Sequence, residues 1–89
     1  MNIDFDKHAI DFFKKFSHNI NSNYEYDFES DALTYVKKQN DFRYKDRVEG
    51  DTLVMILENL EYLKFQKKIN DKRYHIITQK GIEFLTENS

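Results

Sequence analysis

Apolar residues recur at helical spacing in several stretches of this 89-residue chain. Phe5, Ala9, Phe12, Phe16 and Ile20 follow one another at intervals of three and four, and Phe13 widens their stripe. That pattern predicts an amphipathic helix over 3–20. Asp4 and Asp6 fall in its first turn, where the helix dipole favours acids, and Lys14 and Lys15 lie on the polar side. A second helix is expected over 29–39, with Ala32, Leu33 and Val36 inward and Ser30 or Asp27 as its cap. The strongest period is Leu53, Ile56, Leu57, Leu60 and Leu63, which predicts a helix over 51–63 with Asp51 as N-cap. Thr78 can cap a last helix over 79–87 that turns Ile82 and Leu85 inward. Gly81 inside it costs roughly 1 kcal/mol against Ala, so close approach of another backbone is its expected reason.

Between the helices the period changes. Lys64 to Ile69 reads as a strand with Phe65, Lys67 and Ile69 on one side. Asn70-Asp71-Lys72 is turn chemistry. Arg73 to Ile77 reads as the return strand, Tyr74 and Ile76 alternating against Arg73 and His75, so the two form a hairpin. Tyr24, Tyr26 and Phe28 alternate with Glu25 and Asp27; they fit either a short extended segment or a loop that pins aromatics on the core. Residues 40–50 show no clear period and read as a loop or short edge strand. The fold class is therefore α+β, mainly α: three helices, a two-stranded hairpin and a short C-terminal helix in one domain over 1–89.

Composition narrows the function classes. Six Tyr and eight Phe help so short a chain bury apolar area, and no cysteine is present to form disulfides or thiolate metal sites. Two glycines and no proline argue against a turn-rich all-β fold. Mean hydropathy is −0.83, and no stretch approaches the length of a membrane span. The N-terminal MNIDFDKHAIDFF lacks a basic region leading into an apolar run, so a cytoplasmic location is expected. His8, His18 and His75 have no ligand partners at metal spacing, and no phosphate-cradling glycine loop or nucleophile motif occurs. The expectation is a non-enzymatic protein without a cofactor.

The order of elements resembles the winged helix-turn-helix superfamily, and the second half carries the resemblance. LENLEYLKFQKK resembles the end of a recognition helix running into a first wing strand. NDKRYHIITQKGIEFL resembles the wing, second strand and closing helix of MarR-like and PadR-like regulators. In those families a Tyr and an Ile/Leu-Thr-x-x-Gly sequence lead into the last helix; Tyr74, Ile77, Thr78 and Gly81 take those places here. The resemblance covers about residues 51–87 and implies a DNA-binding regulator or accessory factor. The small size and Asn/Lys/Ile-rich composition would suit a phage or mobile-element protein. No long extra helix of the kind that dimerises MarR-like regulators is present. A homodimer would have to use the first helix or the aromatic segment.

Charge is uneven along the chain. Net charge is −2 overall, but residues 64–89 hold six basic and three acidic residues. Lys64, Lys67, Lys68, Lys72 and Arg73 make the hairpin basic, which suits phosphate tracking or, equally, a solvated hairpin protected against strand pairing. Lys37, Arg43, Lys45 and Arg47 form a second basic group that would add to the first if both share a face. The interleaved Phe42 and Tyr44 would suit stacking on single-stranded bases, so the DNA partner is duplex or single-stranded; alternatively, these two aromatics belong to the core. The third helix speaks against base readout. Its expected outer face holds Asp51, Met55, Glu58 and Tyr62, flanked by Val54 and Asn59, and groove reading favours Arg, Lys, Asn or Gln. Val54, Met55, Glu58 and Tyr62 are therefore the candidate surface for the second reading, a protein-interaction module that has lost DNA readout.

Overall fold

A computed structural model describes residues 2–88. Three of its four helices begin at an aspartate. Asp4 accepts the amide of Lys7 and starts α1, Phe5–Phe16; Asp27 accepts that of Ser30 and starts α2, Phe28–Lys38. Asp46 accepts that of Glu49 and starts α3, Arg47–Asn59. Such a cap is worth about 1 kcal/mol over alanine. α1 is shorter than its apolar stripe predicts: Ile20 N–H bonds to Ser17 O, closing a turn that leaves Ile20 packed on the core from outside the helix.

α3 lies four residues earlier than the leucine period predicts. Asp46-x-x-Glu49 is a start signal of the capping-box type, and it overrides Asp51. The 40–50 stretch accordingly holds a loop and the first turn of α3, with no edge strand. At the other end the helix stops in a Schellman turn. Tyr62 N–H reaches Leu57 O, Glu61 N–H reaches Glu58 O, and Glu61 takes a left-handed φ of 65°. Leu63 keeps the helical spacing in sequence but is the first residue of a strand.

β1, Leu63–Ile69, and β2, Lys72–Ile77, pair antiparallel. Asn70 and Asp71 both have positive φ, the conformation of a two-residue hairpin turn. A bulge at Gln66 puts Lys67 opposite Tyr74 and Lys68 opposite Arg73, so Lys67 does not share a face with Phe65. The extended alternative holds at Tyr26, which exchanges both backbone hydrogen bonds with His75 on the free edge of β2. Thr78 caps α4, Gln79–Glu87, by accepting the Gly81 amide.

The core lies between α1, α2 and α3 and is closed by the hairpin and α4. Phe12, Phe13, Phe28, Ala32, Val36, Leu53 and Leu57 are fully buried in it. Gly50 marks the crossing of α3 on α2, where a Cβ would lie 3.0 Å from Leu33 N and 3.2 Å from Ala32 C. The architecture is thus α+β, mainly helical, with four helices and a two-stranded antiparallel sheet. No helix among the described residues is long and apolar enough to cross a membrane.

Candidate nucleic-acid interface

Moving α3 by four residues changes which side chains it presents. Val48, Thr52 and Met55, at i, i+4 and i+7, now form its outer stripe; Val48 is 71% and Met55 54% exposed. Val54, expected on the outer flank, is fully buried: it stands beside Leu53 and one turn before Leu57, and the core wraps far enough round the helix to cover it. Tyr62, expected at the helix's outer face, lies beyond its end. Its ring stacks on Phe84 at 4.8 Å and Phe13 at 5.5 Å. Of the four residues proposed for protein docking, Met55 alone is well exposed.

Glu58 turns toward the hairpin. It accepts from His75 Nε2 at 3.0 Å and from Arg73 Nη2 at 3.3 Å. Arg73 Nε also lies 3.8 Å from Glu29 Oε2, and Arg47 Nε lies 3.6 Å from Asp51 Oδ2. These six residues make a charged seam between α2, α3 and β2. Burial pushes the carboxyls of Glu29 and Asp51 up, and Arg47 and Arg73 pull them back only partly. Asp51 Oδ1, Arg73 Nε and His75 Nδ1 are buried there without a hydrogen-bond partner. The alternation along β2 is real, but its polar set faces inward. His75 is fully buried and Arg73 half-buried, since Ile77, two and four positions on, pairs with Leu63 under the core. No local signal marks this; the acids that receive Arg73 and His75 come from other elements.

The remaining cations divide sharply. Lys67 pairs with Glu25 at 3.4 Å across Tyr74, and Arg73 is held as described. Lys64, Lys68 and Lys72 stay exposed on the hairpin, Lys68 only loosely near Asp71 at 4.0 Å. In the second group, Glu49 accepts the backbone amides of Arg43, Tyr44 and Lys45 at 3.2, 3.1 and 2.6 Å. That buried carboxylate curls the loop against the first turn of α3 and leaves the Arg43 and Lys45 side chains outside. Phe42 of the same loop is in the core and cannot stack on a base; Tyr44 is exposed, with the Arg43 guanidinium over its ring at 5.2 Å. Arg47 Nη2 donates to Asp71 O in the hairpin turn at 3.3 Å. Lys37 does not join the hairpin. It lies about 12 Å along α2 from Glu29, whose end of the helix faces β2.

A cleft of about 270 Å³ opens beside the seam, lined by Asp27, Glu29, Ser30 and Leu33 of the α2 end and by Arg47, Asn70, Asp71 and Lys72. Its mixed charge gives no concentrated anion or cation site. A separate polar network supports α1: Tyr35 donates to Asp11 at 2.7 Å, and His8 bridges Tyr35 and Asp41 at 2.8 and 3.0 Å. Tyr35 is buried, and burial together with Asp11 holds its hydroxyl well above the usual range. It is therefore a structural bond rather than an exposed acid. Among the described residues no three His, Cys, Asp or Glu side chains gather as a metal site. Comparison with family models, curated proteins and solved structures finds no match for the chain.

Proposed function

We propose that this chain is a winged-helix domain that binds duplex DNA through α3, with the β1–β2 hairpin as its wing, in the manner of a small transcription regulator or DNA accessory factor. The observation that carries the reading is the double anchoring of α3's first turn. Glu49 holds Arg43 and Lys45 against one side of the helix. Arg47 holds the hairpin turn, with Lys68 and Lys72 beside it, against another. Residues two apart stand about 200° apart around a helix axis, so the two basic groups flank the outer stripe instead of coinciding. A duplex groove has phosphates along both walls, and flanking cations position a helix between them. The helix N-terminus adds its positive dipole end.

The acids that argue against DNA in the sequence lose much of their force in this arrangement. Asp51 and Glu58 are turned to the seam and paired with Arg47, and with Arg73 and His75. Fluorescence anisotropy of the full chain with a labelled duplex, at low and moderate salt, tests the reading. Binding should weaken with salt. Lys68→Glu with Lys72→Glu, and separately Arg43→Glu with Lys45→Glu, should weaken it further and lower the salt slope by about one for each phosphate no longer neutralised. Absence of binding at low salt, or affinity indifferent to both double variants, overturns it; tighter binding of the matching single strands overturns its duplex part.

A further inference from the structure

The stripe of α3 that stands between the two basic flanks is almost wholly apolar. We infer that Val48, Thr52 and Met55 read thymine methyl groups, so that the preferred partner is an A·T-rich duplex; this rests on the duplex-binding reading above. Recognition of guanine needs a fork of donors, normally Arg or Lys, reaching O6 and N7. The three arginines around α3 are already engaged: the Arg43 guanidinium lies over the Tyr44 ring, and the other two are paired. Arg47 is held by Asp51 and by the Asp71 carbonyl, and Arg73 by Glu58 and Glu29.

Thr52 does not supply the missing donor. Its hydroxyl donates to Val48 O at 2.8 Å, within the helix, which leaves its methyl as the part available to a ligand. What remains on this line of the helix is the Val48 side chain, the Thr52 methyl and the Met55 thioether, followed one turn on by the exposed Asn59, whose amide matches the N6 and N7 of adenine rather than the two acceptors of guanine. The one apolar group on the floor of the major groove is the C5-methyl of thymine. Both kinds of pair present donors and acceptors that the stripe leaves unpartnered, at a cost; the A·T pair alone adds a methyl that the stripe can cover. The flanking cations Arg43, Lys45, Lys68 and Lys72 provide the charge complementarity that brings this face to a duplex at all.

Anisotropy of the full chain tests the inference with four duplexes of one length at low salt. One is A·T-rich; the second is the same duplex with deoxyuridine for every thymidine; the third is G·C-rich; the fourth is that duplex with 5-methylcytosine. Burying one methyl is worth about fourfold in affinity. The uracil duplex should therefore bind weaker by about fourfold for each methyl engaged, and 5-methylcytosine should recover affinity in the G·C duplex. Met55→Gln, at an exposed site, should shrink the thymine–uracil difference. Salt-sensitive binding that ignores both methyl changes overturns this inference and leaves duplex binding standing. No binding to any of the four overturns both.

Discussion

Glycine at position 81 leaves space that no other side chain can share. A Cβ there would sit 2.5 Å from Tyr62 O and 2.9 Å from Ile77 Cγ2. The carbonyl belongs to the chain turn that follows α3, and it also receives the Thr78 amide, so it cannot move without loosening the α4 cap. Gly81→Ala should therefore destabilise by about 1–3 kcal/mol, as overpacking does, although alanine is the better helix former. Urea denaturation checks the sign: a variant more stable than the parent would show that α4 can shift away. The Thr78 cap and the Asn70-Asp71 turn are legible in the sequence because each is decided by neighbours a few residues away; the close approach at Gly81 shows there only as a glycine inside a helix, since Tyr62 and Phe13 are distant in the chain.

The elements show where such legibility stops. The leucine spacing of α3 continues through Leu60 and Leu63, but a capping signal at Asp46 and a Schellman turn at Glu61 bound the helix on both sides. Periodicity says which face is inward; it does not say where the helix begins, and the four-residue shift exchanges Tyr62 for Val48 on the surface. The inward polar face of β2 is hidden from the sequence for a different reason. Arg73 and His75 are tolerable inside because Glu58 of α3 bonds both, with Glu29 of α2 a looser neighbour of Arg73 at 3.8 Å, so the partners lie on two helices. The predicted hairpin cations fall into two kinds on the same ground: Lys67 and Arg73 serve the fold, whereas Lys64, Lys68 and Lys72 remain exposed. Glu49 extends this logic to the loop before α3. Its replacement by Ala removes the acceptor for three backbone amides and should free residues 43–45. We expect a stability loss of about 1–3 kcal/mol and weaker duplex binding beyond what that loss explains. Hydrogen exchange at Arg43, Tyr44 and Lys45 should rise in the variant; unchanged protection there would show that the loop holds itself.

For the molecule as a whole, the seam and the separate Asp11–Tyr35 network set a pH dependence with opposing parts. Burial raises the Glu29 and Asp51 carboxyls, so the folded state holds protons there that the unfolded chain has lost. Their cost to stability is fully present above the raised folded values and disappears as pH falls toward the ordinary carboxylate range. Asp11 has the other sign. Burial pushes it up, but the Tyr35 hydroxyl bond and the bond and charge of Lys15 outweigh that and lower it. Its contribution is present above the unfolded value and is lost as pH falls through the folded one. Glu29→Gln isolates the first effect. At pH 7 the variant should be at least as stable as the parent, and the gap should close as pH drops through the raised Glu29 value. Denaturation midpoints measured across that window would contradict this balance if the variant were clearly weaker at pH 7.

The ring stack of Phe13, Tyr62 and Phe84 has a consequence in time. It joins the first helix to the last, and Gly81 lies beneath it, close to the Phe13 ring. α2, α3 and the hairpin are neighbours in sequence and can meet early, since short loops close cheaply. The face of α1 around Phe13 must wait for residues 79–87, which are synthesised last of these elements. We expect the docking of α1 on α4 to close the longest loop among these elements and so to carry the largest chain-entropy cost of completing the core; substitutions in this ring stack should then slow folding as well as weaken the fold.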